Sequence, residues 1–250
     1  GVRTLSVAIE MQSGKLTLVP TKPRGAPGVV KGLERRNVRD FRPVHLPQRV
    51  ALLADEIQGL RAMGSETDVE VASAYLAKKL LVPRRDLDVT HEYQRIGAIK
   101  GLVVDADGTT PIYTYFTEFG VAQQELDMAL DVDGTKVLQK TVTLKTMIED
   151  TLGAVMMTGV RVYCSAGYFA ALTGHPAVVE AFRRYNESSF LREDNRAGFE
   201  FGSGVMWEQY RGQIDGIPFI EDNVAYAVPL GVPDLFETYY APANYMETVN

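Results

Sequence analysis

The chain has 250 residues, of which 46% are hydrophobic and 23% charged, so it is long enough to bury a sizeable core in one or two domains. No stretch approaches the ~18 consecutive apolar residues of a transmembrane helix, so we expect no membrane span. The single cysteine, Cys164, excludes an intrachain disulfide framework and suits a reducing compartment.

The net charge of −6 hides a strong asymmetry along the chain. Residues 20–49 hold eight basic side chains against two acidic ones, a net of +6, so the remaining chain carries −12. The basic residues are Lys22, Arg24, Lys31, Arg35, Arg36, Arg39, Arg42 and Arg49. Such a split is typical of a nucleic-acid arm, and equally of a segment that docks on the acidic surface of a neighbouring subunit.

The N-terminal segment predicts a hairpin followed by an irregular arm. Thr4–Glu10 and Lys15–Val19 alternate like strands around a Gln-Ser-Gly turn. Residues 20–47 are rich in proline and glycine and too poor in apolar residues for a core of their own, so we expect an extended arm. Because the first residue is glycine and the last segment ends without a polar tail, we expect the sequence to be part of a longer gene product.

Two helices and a hairpin are predicted next. Ser65–Leu81 has the apolar spacing of a helix, and Pro83 predicts the first turn of a second helix that ends at Gly101. Strands are predicted at Leu102–Asp105 and Ile112–Phe116, on either side of a polar turn. The stretch from Val82 to Phe119 therefore combines a long helix with a hairpin and has the pattern of a rigid support.

Helices and short strands are mixed in the second half of the chain, which indicates an α+β fold. A turn is expected at Asp133–Gly134. Helices are predicted at Lys140–Leu152, Gly167–Leu172 and Pro176–Tyr185. Strands are predicted at Glu125–Asp131, Val160–Ser165, Val205–Tyr210, Arg211–Ile214, Pro218–Ile220 and Ala225–Pro229.

The histidines and the cysteine lack the sequence spacing that metal binding or catalysis requires. His45, His91 and His175 form no HxxxH pair, and structural roles are more common for isolated histidines than metal binding. Cys164 follows a predicted strand, but no signature supplies a base, so we expect a buried structural cysteine. We therefore expect no catalytic residue, metal ligand or cofactor.

Two Asp-x-Asp-Gly-Thr segments and a glycine-rich stretch have residue types found in ligand sites. The segments beginning at Asp105 and Asp131 lack the glycine and glutamate that a calcium loop needs at its sixth and twelfth positions, so hairpin turns explain them better. Gly198–Gly204 lacks the Gly-Lys-Ser/Thr of a phosphate loop.

Six segments of the chain resemble the major capsid protein E family of tailed bacteriophages, and together they extend over nearly the whole sequence. They are Val19–Pro27, Leu53–Gly64, Glu92–Gly108, Phe119–Gln123, Val162–Phe182 and Ala225–Asn250. The last two, VYCSAGYFAALTGHPAVVEAF and AYAVPLGVPDLFETYYAPANYMETVN, are long and distinctive. Chance is therefore a poor explanation of the resemblance.

The resemblance implies the tailed-phage major capsid fold and sets the expected domains. Residues 1–50 would form an extended loop and 51–64 a connection. Residues 65–138 would form a peripheral domain with a long spine helix and a β-hairpin, and 139–230 an axial domain. Residues 231–250 would return to the peripheral domain.

The same resemblance implies a shell protein of the virion capsid, assembled in the host cytoplasm, and not an enzyme. Its expected partners are other copies of itself in hexamers and pentamers, with decoration, scaffold and portal proteins as further candidates. Double-stranded DNA would be enclosed without sequence-specific binding. Candidate contacts between subunits are Lys22, Arg24, Arg35, Arg36, Arg39, Arg42, Asp105 and Asp107. Two alternatives stay open: the shell of an encapsulating nanocompartment, and a DNA-binding protein that uses the basic 20–49 arm.

Overall fold

The structure is a computed structural model, and it describes residues 6–12, 36–51, 53–57, 72–153, 155–184, 198–202 and 204–242. The chain divides into two units, one made of Gly1–Pro47 with Pro233–Asn250 and the other of Gln48–Val232. Within the described ranges, none of the helices combines the length and the apolar character that crossing a bilayer requires.

In the first unit, two antiparallel strands form a ribbon. Strand β1 (Val7–Gln12) pairs with β2 (Arg36–Phe41), with Val7 opposite Phe41. The strand predicted at Lys15–Val19 lies outside the described residues. The expectation that 20–47 is irregular throughout is wrong for β2, because its backbone is fixed by pairing with a distant strand that local composition does not reveal.

The second unit mixes helices and strands, as an α+β fold requires. Its helices are α1 (Ala54–Ile57), α2 (Ala72–Lys100), α3 (Tyr115–Phe119), α4 (Val137–Leu152), α5 (Ala166–Gly174) and α6 (Pro176–Arg184). Its strands are β3 (Leu102–Val104), β4 (Pro111–Thr114), β5 (Gly159–Cys164), β6 (Phe199–Glu200), β7 (Val205–Gln209), β8 (Gln213–Ile214), β9 (Ile217–Pro218) and β10 (Ala225–Leu230).

Helix α2 corrects one sequence prediction and confirms another. Pro83 lies inside this 29-residue helix and does not begin a new one. An interior proline costs roughly 3 kcal/mol because it cannot donate to the carbonyl four residues before it. The helix nevertheless continues through Pro83 to Lys100. The predicted end at Gly101 is confirmed, with a φ of +82°.

The hairpin after α2 is confirmed, although its second strand is shorter than predicted. Strands β3 and β4 pair around the polar turn, but Tyr115 and Phe116 begin α3 and do not extend β4. The Tyr115 amide donates to the carbonyl of Gly101 (2.9 Å), and a β-carbon on Gly101 would lie 2.4 Å from the Phe116 ring. This long-range packing, which strand alternation does not encode, accompanies the change to helix.

Four strands form the main sheet, in the order β10-β5-β7-β6. The central pair β5–β7 is parallel, while β10 and β6 pair antiparallel with their neighbours. Val162 lies opposite both Trp207 and Ala227, and alternate residues of β5 are buried. The main core lies on the face of the sheet that carries Val160, Val162 and Cys164. Other fully buried side chains of this core are Trp207, Leu172, Val178 and Val137.

The strand predicted at Glu125–Asp131 is wrong, although its alternation does report burial. Met128 is buried, and Leu126 and Leu130 are half-buried against the main core. The segment forms no ladder, and Ala129 has a φ of +45°, outside the extended region. An isolated extended segment with one face on a core shows the same period of two as a paired strand.

Candidate assembly surfaces

The second face of the sheet holds the C-terminal half of α2. Ile96 of the helix is buried with Phe219 and Ile220, and Tyr163 and Tyr226 of the sheet pack against this small cluster. The rings of Tyr93 and Phe219 meet edge to face, with centroids 5.0 Å apart. Aromatic contacts therefore fix where the long helix lies on the sheet.

Polar side chains surround this aromatic cluster. The Tyr210 hydroxyl donates to Glu92 Oε1 (2.6 Å), and burial together with that carboxylate raises the pKa of Tyr210. Lys100 Nζ donates to the Phe219 carbonyl (3.2 Å) and pairs with Glu221. Burial opposes ionisation of Glu221, but the hydrogen bond from Lys100 outweighs it, so the pKa of Glu221 is lowered.

The turn between β3 and β4 holds Asp105 and Asp107, two of the predicted contact residues. Asp107 Oδ1 accepts the amides of Thr109 and Thr110 (both 2.9 Å), and Oδ2 accepts the Thr110 hydroxyl (2.5 Å). The hydroxyl and the two amides hold the pKa of Asp107 well below its usual range. The pairing of β3 with β4 confirms the predicted hairpin turn. Both carboxylates are exposed at its tip, and their role as contacts between subunits stays a prediction.

The basic contact candidates fall in the first unit. Lys22, Arg24 and Arg35 lie outside the described residues, and Arg36 belongs to β2. In the β1–β2 ribbon, Val7, Arg39 and Phe41 share one face, which is buried or half-buried, while Val38 and Asp40 occupy the exposed face. Arg39 is therefore partly covered within the chain, whereas Arg42, just past the strand, is exposed.

Two exposed apolar surfaces were missed by the sequence reasoning. One is the tip of the β8–β9 hairpin, where Ile214 is 46% and Ile217 is 69% exposed. The other is the α2 turn of Leu80, Leu81 and Val82. The dipeptide Asp-Gly between two isoleucines is a strong hairpin signal, but only a structure shows that both isoleucines face solvent.

The candidate reactive residues have structural positions. His175 is buried; its Nδ1 accepts the Ala177 amide (3.2 Å), so its Nε2 carries the hydrogen that the Val132 carbonyl accepts (3.1 Å). Cys164 is fully buried, and burial raises the pKa of its thiol to about 12. The predicted burial of Cys164 is confirmed.

The remaining histidines and the ligand-like segments do not form a site in the described structure. His45 is exposed and His91 lies half-buried on α2. Phe199 and Phe201 of the glycine-rich stretch are buried in the main core. Among the residues that the structure describes, no three histidine, cysteine or acidic side chains are grouped so as to hold a metal.

Comparison with known proteins decides the family. The family described as phage major capsid protein E matches residues 1–250. The chain belongs to this family. The major capsid protein of Pseudomonas phage KPP10 is 30% identical to it over 270 residues, covering 98% of this chain and 75% of that protein. The major capsid protein of Salmonella phage Felix O1 is 28% identical over 251 residues, covering 87% and 68%.

Membership of the major capsid protein E family confirms the resemblance found in the sequence. It gives the chain a structural role among phage capsid proteins, which fits the mixed helix and sheet of its fold.

Proposed function

We propose that this chain is a major capsid subunit that self-assembles into hexamers and pentamers of an icosahedral head around double-stranded DNA. The observation that carries the proposal is the family match across residues 1–250, joined by two relatives named major capsid protein. The exposed aliphatic side chains of α2 and β8–β9 support it, since such surfaces are typical of protein contacts.

In this proposal the chain has the domains of the tailed-phage capsid fold. Residues 1–50 are the extended loop, 51–64 the connection, 65–138 the peripheral domain, 139–230 the axial domain, and 231–250 the return to the peripheral domain. Helix α2 is the spine, supported by its 29-residue length and by the hairpin that follows it. Decoration, scaffold and portal proteins are further proposed partners.

Electron microscopy of the purified full-length gene product tests the proposal. Closed icosahedral particles are expected, and soluble protein that forms no particles under assembly conditions would overturn it.

The contents of the particles separate the two shell classes: nuclease-resistant DNA in particles from infected cells supports a phage head, whereas a protein cargo supports a nanocompartment. Salt-dependent shifting of duplex DNA by an unassembled subunit would favour the DNA-binding alternative suggested by the basic arm.

The basic arm supplies a second test of the same proposal. Replacing Arg24, Arg35 and Arg42 with glutamate should block assembly without unfolding the subunit, because the arm would no longer complement acidic neighbours. Reversing three exposed basic residues elsewhere, Lys136, Arg183 and Arg211, is the matched control. Normal particle yield from the arm variant would exclude this docking role.

A further inference from the structure

The β8–β9 hairpin is a rigid projection with an apolar tip. Ile214 pairs directly with Ile217 across a turn whose central residues, Asp215 and Gly216, have φ of +48° and +80°. Positive φ at both positions is the type I′ geometry that matches the twist of a hairpin. At the base, the Phe219 amide donates to the Gly212 carbonyl (3.0 Å), and the Phe219 side chain is buried. The two isoleucines are therefore held outward by a fixed support.

The exposed turn of α2 is complementary to this tip in polarity and charge. Leu80, Leu81 and Val82 are 49%, 48% and 60% exposed, and the exposed Arg84 and Arg85 follow them. The hairpin tip places an exposed carboxylate, Asp215, between its isoleucines. One surface is thus apolar with basic residues beside it, and the other apolar with an acidic residue.

The two surfaces occupy different positions on one subunit. The hairpin base rests on α2 at Tyr93, through the Tyr93–Phe219 ring contact. Leu81 lies 12 residues earlier in the helix, roughly 18 Å along its axis at ~1.5 Å per residue. A contact that joins the hairpin of one copy to the α2 turn of the next, repeated head to tail, is heterologous. Contacts of that kind build rings or extended arrays.

We propose that the Ile214–Pro218 hairpin of one copy packs on the Leu80–Arg85 turn of α2 in a second copy. The isoleucines cover Leu80 and Leu81, which share a helix face with Arg84 and Arg85 one turn later, and Asp215 faces these two arginines. This contact rests on the self-assembly proposed above and names two of the surfaces that carry it.

Cross-linking between copies tests the contact directly. Two variants, Ile217→Cys and Leu81→Cys, are mixed before assembly and then mildly oxidised; the native Cys164 is fully buried and does not compete. We expect covalent dimers at least about tenfold more abundant than from a mixture of Leu81→Cys with Met156→Cys, whose parent side chain is 87% exposed. Equal yields from both mixtures in assembled particles would overturn the proposal.

Charge exchange gives a second test that does not depend on cysteine chemistry. Asp215→Lys alone, and the double change Arg84→Asp with Arg85→Asp alone, should each lower particle yield at least about tenfold. Because every copy supplies both surfaces, a chain with all three changes should recover most of the yield. Native Trp207 fluorescence in each variant shows that the subunit is folded.

The outcomes separate this inference from the proposed function. Absence of particles from the unaltered chain contradicts the proposed function itself. Particles from the unaltered chain, together with full yield from the charge variants, contradict only the hairpin contact. Loss of yield with no recovery in the combined chain also contradicts it, because the loss then has another cause.

Discussion

On one face of the main sheet, Val160, Val162 and Trp207 are buried beneath α4, α5 and α6. On the other face, Tyr163 and Tyr226 pack under α2, and Glu92, Lys100 and Glu221 surround the contact with hydrogen bonds. The first face is closed and larger, and it combines aliphatic side chains with Trp207 and three buried phenylalanines. The second is smaller, aromatic and polar at its edge.

The two faces have different roles: the closed face stabilises the fold, and the aromatic face positions helix α2. The closed face supplies most of the buried apolar area, so it determines whether the second unit folds. The aromatic face determines where the C-terminal half of α2 lies. In the N-terminal half, Leu80, Leu81 and Val82 are exposed and available for contacts between copies.

The largest effect should come from the closed face. Trp207→Ala removes a fully buried indole whose Nε1 donates to the Phe201 carbonyl (3.1 Å), and should reduce the free energy of unfolding by about 3–5 kcal/mol. Urea unfolding followed by far-UV circular dichroism measures it. Met156→Ala, at an exposed position, should stay within about 0.5 kcal/mol. A similar loss in both variants would mean that Trp207 is not central to the core.

A smaller effect is expected from the aromatic face. Phe219→Ala should cost about 3 kcal/mol, because the cavity it leaves lies at the edge of a small cluster that can partly collapse. Hydrogen exchange should rise in the C-terminal half of α2, while the emission of Trp207, the sole tryptophan, stays native. A large change in Trp207 emission would show that the two faces are not separable.

The sequence predicted local features well where one residue type determines the conformation. Gly101 ended α2, and Pro176 started α6, as expected from their backbone preferences. It failed where distant contacts decide: Pro83 inside α2, Tyr115 in α3, and the unpaired segment at Leu126–Leu130. No local pattern encodes which strand pairs with β1 or what covers a helix.

The candidate surfaces were predicted only in part for the same reason. Charge counting located the basic arm and turn chemistry located the Asp107 tip, since both are properties of consecutive residues. Exposure of Ile217 and Leu81 depends on the rest of the fold. In the sequence, an apolar residue that is exposed for binding cannot be told from one that is buried in the core.

The hydrogen bond between Tyr210 and Glu92, at the polar edge of the aromatic face, should contribute about 1 kcal/mol to the free energy of unfolding. Tyr210→Phe keeps the ring against Phe219 and removes the hydroxyl that donates to Glu92 Oε1 (2.6 Å). The urea midpoint is the measurement, with Tyr163→Phe, which leaves that bond intact, as the control. A midpoint unchanged in Tyr210→Phe would mean that this hydrogen bond does not help hold α2.

The smallest effect should be the dependence of the free energy of unfolding on pH that Glu221 causes. Its pKa is lowered from the ordinary 4.5 in the folded chain, so its contribution is complete above 4.5 and is lost as pH falls through the lower, folded value. The side chain is 54% exposed, so solvent screening limits the contribution to about 0.5 kcal/mol. Glu221→Gln should therefore destabilise at neutral pH and match the unaltered chain in acid. The opposite pH order in urea unfolding would contradict this assignment.

Hydrogen exchange of the unassembled subunit and of the assembled particle tests most directly the claim that the closed face folds the chain while exposed turns join the copies. We predict slower exchange on assembly at residues 79–85 of α2 and at 213–218 of the β8–β9 hairpin, with β5 and β7 nearly unchanged. Equal exchange in both turns before and after assembly would contradict the account.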